Sequence, residues 1–211
     1  MGSIATTEEK KVTQIGGIYK ANLTAGGLLV SESRKVADLM IRNVSGSDWK
    51  DAIQNQNILQ TRSAASAIRK ANLIRARLSS MSQELWEMLR DGDATLATQA
   101  SFAAAIKHSR ILGDYLDLVV REQFKKLEDK LSSALWDEFM SSCKHRDPLM
   151  VDFPPSTAMK MRTIVHNILF EAGYLKNSRQ KTLVKMEIVP RLINYLKDKN
   201  ESYVLRCMQV S

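Results

Sequence analysis

The 211 residues, 44% hydrophobic and 26% charged, are enough for a core in one domain or two small ones, and they exclude an intrinsically disordered chain. Only 4 Pro and 9 Gly interrupt a sequence rich in Met, Leu, Ala, Lys and Ser, and aromatics make up just 6%, so helix is favoured over sheet. Thirty-one Lys and Arg against 23 Asp and Glu leave a net charge of +8, which favours polyanionic partners.

Residues 1–15 read as a frayed polar start, with Met1-Gly2-Ser3 resembling an expression scar. Gly16-Gly17 and Gly26-Gly27 bracket Ile18 to Ala25, an apolar arm or short helix; neither pair fits a phosphate loop or a dinucleotide fingerprint. A helix capped by Ser31 then carries Val36, Leu39 and Met40 on one face. After Asn43 to Ser47 a short helix spans Asp48 to Gln54, followed by a long one from Thr61 to Ser79 and another from Ser82 to Arg90. Asp91-Gly92-Asp93 is the clearest break, dividing an N-terminal helical subdomain (1–91) from a C-terminal one (94–211).

The second half opens with a helix from Ala94 to His108. The next, from Arg110 to Lys130, recurs at Ile111, Tyr115, Leu118, Val119, Phe124 and Leu127. Leu131 to Cys143 follows, then a loop between Asp147-Pro148 and Pro154-Pro155. Ser156 or Thr157 caps a strong helix to Phe170, with Gly173 as its C′ residue, and Pro190 opens a helix to Lys197. Thr182 to Met186 and Tyr203 to Cys207 are short apolar runs that periodicity does not separate into strand or helix; one reading makes them a hairpin-like element. The fold class expected is all-α, a multi-helix bundle whose N-terminal part is helix-turn-helix-like.

Between Asp51 and Glu84 there is no acidic residue, but there are five basic ones. On a wheel of about 100° per residue, Arg62, Arg69, Lys70 and Arg77 share one stripe opposite Ala64, Ala67, Ile68, Ala71, Ile74 and Leu78. Arg75 falls nearer the apolar side, where it would snorkel or pair with a carboxylate. A one-signed face with Ser63, Ser66 and Asn72 beside it suits phosphate oxygens. It fits equally well a solvated face, or one paired with carboxylates of a neighbouring helix. From Phe153 to Met186, Glu171 is the only carboxylate among Lys160, Arg162, His166, Lys176, Arg179, Lys181 and Lys185. A helix and basic loop of this kind could grip a backbone as a winged-helix-like module does; residue by residue, a core helix with a solvated loop is the plainer reading.

His145-Arg146-Asp147 imitates a kinase triplet without the accompanying motifs, and Cys143 with His145 lacks two further zinc ligands. No catalytic residue, metal or cofactor is expected. Cys143 and Cys207 read as lone thiols. No signal peptide opens the chain and no run approaches about 18 apolar residues, so a cytoplasmic, non-membrane protein is expected.

Several stretches resemble the BrxA family of the BREX bacteriophage-exclusion systems: Arg110-Ile111-Leu112-Gly113-Asp114-Tyr115-Leu116, Val119-Val120-Arg121-Glu122, Trp136-Asp137-Glu138-Phe139, and Ser156-Thr157 with Lys160 and Arg162 running to Leu169-Phe170-Glu171-Ala172-Gly173-Tyr174-Leu175. Ser31-Glu32, Asn57-Ile58-Leu59 and Arg77-Leu78 stand in the expected order. The resemblance implies a small helical protein encoded beside a methyltransferase, an ATPase and a phosphatase-like protein, thought to bind DNA and similar in fold to the antitermination factor NusB. Sequence-tolerant duplex DNA binding is then the leading expectation. A protein-interaction adaptor or a NusB-like RNA binder are the alternatives.

Overall fold

The computed structural model describes residues 17–23, 26–176 and 181–210; expectations for residues 1–15 and for Arg179 lie outside them. The first half comprises α1 (Val30–Ile41), α2 (Gly46–Lys50) with the π-helical turn Asp51–Asn55, α3 (Ala64–Ser79) and α4 (Gln83–Asp91). Then follow α5 (Ala94–His108), α6 (Arg110–Tyr115), the π-helical turn Leu116–Val120 and α7 (Arg121–Lys125). The chain ends in α8 (Ser133–Arg146), α9 (Pro155–Glu171), α10 (Pro190–Asp198) and α11 (Ser202–Met208).

Caps set many of these boundaries. Ser63 accepts from the Ser66 amide at the start of α3, and Asp93 from the Leu96 amide at the start of α5, each satisfying a donor that the first turn leaves free. Two expected caps are corrected. α1 begins at Val30 behind a left-handed Leu29 rather than after Ser31. α9 begins on Pro155 rather than behind Ser156 or Thr157, because a proline at N1 brings a helix-ready φ and misses only an N–H that has no intrahelical partner. Gly173, at φ +87°, follows α9 in the left-handed conformation expected of a C′ glycine.

α5 is the axis of the molecule. Leu96, Ala97 and the whole run Gln99 to Ile106 are buried, and the helix touches α1, α3, α4, α6, α10 and α11. Five buried alanines let those neighbours approach closely. Its buried polar groups strap extended chain to it: Gln99 donates to the Glu187 carbonyl and accepts from the Val189 amide, and Ser101 donates to the Leu28 carbonyl. Buried residues on both sides of Asp91-Gly92-Asp93 belong to one apolar cluster running from Tyr19 to Val210.

The hairpin-like element is not formed. Tyr203 to Cys207 lies inside α11, where Val204, Cys207 and Met208 are buried at a three-and-four spacing that a strand could not turn to one side. Leu118 and Leu127, expected in the core, are 42% and 93% exposed. The π-helical turn widens the helix by one residue and shifts Leu118 off the inner stripe, while α7 stops at Lys125 before Leu127, itself at φ 58°.

Candidate nucleic-acid interface

The four basic residues expected on one face of α3 have three different surroundings. Arg62 and Arg69 are exposed. Lys70 is half-buried and its Nζ sits 2.8 Å from Glu32 Oε1 of α1. Arg77 is a correction to the expected face: it is 2% exposed, and its Nη1 donates to the Gly27 carbonyl at 2.7 Å, while Nε and Nη2 have no hydrogen-bond partner among the described residues. Burial pushes its guanidinium down to about 10, with Glu171 pulling the other way, so it stays charged near neutrality. The wheel misplaced it because α3 packs against α5 and Arg77 bonds the chain at Gly27, and Leu73 from the same stripe is buried as well. Arg75 is exposed instead, its guanidinium 4.7 Å from the Trp49 ring centre.

The second acid-poor stretch folds differently. Residues 181–184 lie between two other extended segments. Lys130 and Thr182 form one antiparallel bridge and Leu175 and Leu183 another. The Leu183 amide donates to the Asp129 carbonyl, the Lys176 amide to the Thr182 carbonyl and the Val184 amide to the Tyr174 carbonyl. Along the chain the described order is extended segment, α8, α9 and two further extended segments, an order that a winged helix-turn-helix shares. Beneath it, Tyr115 of α6, Trp136 and Phe139 of α8 and His166 of α9 share an aromatic core, with ring centroids 5.2 to 5.9 Å apart for Tyr115 against each of the others. The His166 ring and the Tyr115 hydroxyl are hydrogen-bonded at 3.2 Å.

Around this core the charge is uncompensated. Among the described residues Lys160, Arg162, Lys176, Lys181 and Lys185 form no ion pair, although Glu128 and Asp129 stand on the adjoining segment. Instead Arg162 acts on Lys181, and both act on His166. Burial and then the Arg162 charge lower the Lys181 ammonium. Burial, then Lys181 and Arg162, push the His166 imidazole down to about 4. Arg162 is half-buried on α9 and Lys181 is half-buried on the extended segment, with Lys160 exposed on the helix and Lys176 exposed after Leu175. Outward-facing Ser156, Met159, Thr163 and Asn167 were missed as interface candidates; their helical spacing opposite the buried Met161, Val165 and Ile168 was the available signal.

The Arg110 to Tyr115 motif builds a buried tie instead of a site. Asp114 accepts from the Tyr19 hydroxyl at 2.6 Å and the Tyr203 hydroxyl at 2.8 Å, and its Oδ1 lies 3.0 Å from Arg110 Nε. A Cβ at Gly113 would collide with the Tyr203 ring, so only glycine lets α11 come this close. Cys143 and Cys207 are free and buried, and burial pushes their thiols up to about 11 and about 12, away from reactivity. Among the described residues no cluster of His, Cys, Asp or Glu could hold a metal, and no helix is long and apolar enough to cross a membrane.

The BrxA family profile matches residues 17–200. The chain belongs to the BrxA family. It is 46% identical over 193 residues to a BREX protein BrxA of Paramagnetospirillum magneticum, covering 92% of this chain and 97% of that one. A BREX protein BrxA of Escherichia coli is 30% identical over 169 residues, covering 80% and 79% of the two chains. A solved structure described as an uncharacterized protein from Magnetospirillum magneticum superposes with a TM-score of 0.86 at 44% identity, covering 92% of this chain and all of the other. Asp114, its partners Tyr19 and Arg110, and the α8–α9 unit lie inside the segment the BrxA profile matches, while Tyr203 falls just beyond it.

Proposed function

We propose that this BrxA-family chain is a non-enzymatic, cytoplasmic accessory protein of a BREX phage-defence system that binds double-stranded DNA. The observation that carries the reading is the set of basic side chains on and beside α9, none of which forms an ion pair among the described residues, with Arg162 acting on Lys181. Gathering like charges costs free energy in the isolated protein, and a polyanion returns it. Lys160, Arg162, Lys176 and Lys181 would neutralise phosphates, with Arg179 adding to them and Arg62 and Arg69 of α3 in a subsidiary place. Lys70 and Arg77 drop out of the contact set, being paired and buried respectively. A BREX methyltransferase, ATPase or phosphatase-like component is the natural further partner of a protein with this family membership.

The test is a titration of the purified chain with duplex DNA, duplex RNA and single strands at several salt concentrations. Duplex DNA affinity is expected to fall linearly in log–log form with a slope of about −0.9 per phosphate contacted, so four contacts give a slope near −3.6. Absence of any shift of free duplex, with BREX partners retained after nuclease treatment, would favour the adaptor reading instead. Preference for duplex RNA at fixed salt would favour the NusB-like one.

A further inference from the structure

We propose that the cavity between α1, the π-helical turn Asp51–Asn55 and the end of α4 binds a nucleoside monophosphate, a small ligand with a phosphate at one end and a flat, largely apolar body. The cavity measures about 410 Å³, within the range of about 300–1,000 Å³ usual for small-ligand sites. Four cations, Arg34, Lys35, Arg42 and Arg90, line it against a single carboxylate, Asp38. Leu39, Ala52 and Ile58 supply its apolar wall. Helical spacing gathers the charges: Arg34, Asp38 and Arg42 recur every four residues along α1 and at its C-cap, with Lys35 and Leu39 on the adjoining row.

Two of the cations are held ready for an anion. Asp38 is shared between Arg42 Nε at 2.8 Å and Arg90 Nη1 at 3.7 Å, and Asp91 takes Arg90 Nε at 2.7 Å. Arg34 and Lys35 meet no carboxylate within ion-pair distance among the described residues. Arg34 Nη1 donates to the Arg90 carbonyl at 2.8 Å, and Nη2 to the Gly92 and Asp93 carbonyls at 2.7 and 3.1 Å. These bonds leave its Nε–H and the second Nη1 hydrogen open. Lys35 Nζ donates to the Ile58 carbonyl at 2.6 Å and keeps its remaining ammonium hydrogens. Both charges are half-buried and fixed by neutral carbonyls, so a phosphate meets oriented donors with little side-chain freedom left to lose.

The facing wall is built from costly backbone. Asn57 and Gln60, on either side of Ile58, have φ of 46° and 52°, and the turn before them is π-helical. Left-handed non-glycine residues and π-helical turns both gather at ligand sites. A bare phosphate would leave Leu39, Ala52 and Ile58 untouched. An acidic peptide would need backbone partners, and Arg34 and Lys35 already occupy carbonyls of this wall. A nucleotide base fits the apolar side, and Gln56, whose Nε2 donates to Asp51, keeps its Oε1 to accept from an exocyclic amino group.

The experiment is isothermal titration calorimetry of the full chain with the common nucleoside 5′-monophosphates, the matching nucleosides and inorganic phosphate at one salt concentration. At least one nucleotide is expected to bind with a Kd of roughly 10–100 µM, and its nucleoside and inorganic phosphate at least about tenfold more weakly. Lys35→Gln can still donate to the Ile58 carbonyl, and Arg42 is exposed, so Lys35→Gln and Arg42→Gln should keep the wild-type melting temperature. Each should weaken the nucleotide at least about fivefold. Lys197→Gln removes an equal charge from an exposed position on α10 and should bind as the wild type does. If no nucleotide binds below about 1 mM, the proposal fails. If Lys35→Gln and Arg42→Gln both keep the affinity, or if Lys197→Gln loses as much as they do, the cavity is not the site. Inorganic phosphate binding as tightly as the nucleotide would overturn the ligand class.

Discussion

α3 and the α9 unit look alike as sequence, each a stretch nearly free of carboxylates and dotted with Lys and Arg, yet the fold uses their charges in opposite ways. On α3, Glu32 of α1 reaches across to Lys70, the core takes Arg77, and Trp49 lies under Arg75, leaving Arg62 and Arg69 without such partners. Beside α9, among the described residues, no carboxylate lies within ion-pair distance of Lys160, Arg162, Lys176, Lys181 or Lys185, and Arg162 lowers the Lys181 ammonium. A run that lacks acids along the chain is thus not acid-poor in space. The deciding carboxylates come from elements distant in sequence, here 38 residues away.

The largest expected effect tests whether Arg77 belongs to the core. Arg77→Ala removes one of the largest fully buried side chains and the only donor given to the Gly27 carbonyl by this helix. It should cost about 3 kcal/mol in urea denaturation, from the cavity and from the stranded carbonyl. Arg77→Met, which keeps most of the volume and removes a poorly satisfied charge, should cost under about 1 kcal/mol. Neither should change duplex affinity per folded molecule. A fall in affinity at unchanged stability would return Arg77 to the surface and erase the contrast between the two regions.

Next in size is the contrast itself. Lys176→Glu with Lys181→Glu should weaken duplex binding roughly 100-fold at low salt and flatten its salt slope, since two phosphate contacts are lost and two repulsions added. Arg62→Glu with Arg69→Glu should weaken it less than about fivefold. Reversed magnitudes in a fluorescence anisotropy titration would make α3 the principal surface.

How far the sequence foretold this depends on what each feature rests on. Helices were legible wherever a local cap or breaker acted, as with Asp93 before α5, Pro190 before α10 and Gly173 after α9. The π-helical turns were not, because an extra residue in a turn is fixed by packing and leaves no mark on a hydrophobic period. The short apolar run inside α11 is ambiguous by itself, and burial against the rest of the core decided it. Of the candidate site, Lys160 and its basic neighbours were readable from charge spacing. The Lys130–Thr182 bridge was invisible, since it joins residues 52 positions apart.

A smaller effect concerns the core beneath α9. His166 is held neutral in the fold with a value near 4, against an ordinary value of 6.5 when unfolded. Above about pH 6.5 both states are neutral and the group contributes nothing to pH dependence. As pH falls from there towards 4 the unfolded chain takes up the proton first, so stability declines. Between pH 7 and 5 the loss is up to about 2 kcal/mol, and His108, lowered by burial and by Arg77, adds in the same direction. His166→Gln, which can still pair with the Tyr115 hydroxyl, should flatten most of this slope in urea midpoints measured across that window. An unchanged slope would mean that the fold, by burial and by the neighbouring cations together, does not hold His166 neutral.

The smallest effect is the sharpest probe of α3. Glu32 and Lys70 are both partly exposed, so breaking their pair by Glu32→Gln should cost less than about 1 kcal/mol. The same substitution releases Lys70 from its carboxylate and raises the uncompensated charge of the α3 face by one, next to the exposed Arg69. A face at the edge of the duplex feels that added charge through screened solvent, over a Debye length of about 10 Å at 0.1 M salt, so affinity should rise no more than about twofold and the rise should vanish at higher salt. A face in direct contact would instead gain a phosphate contact, and the log–log salt slope would steepen by about 0.9. The slope, measured on the charge-releasing variant instead of on a damaged one, therefore reports whether α3 touches the duplex or merely faces it, with no loss of folding to confuse the two.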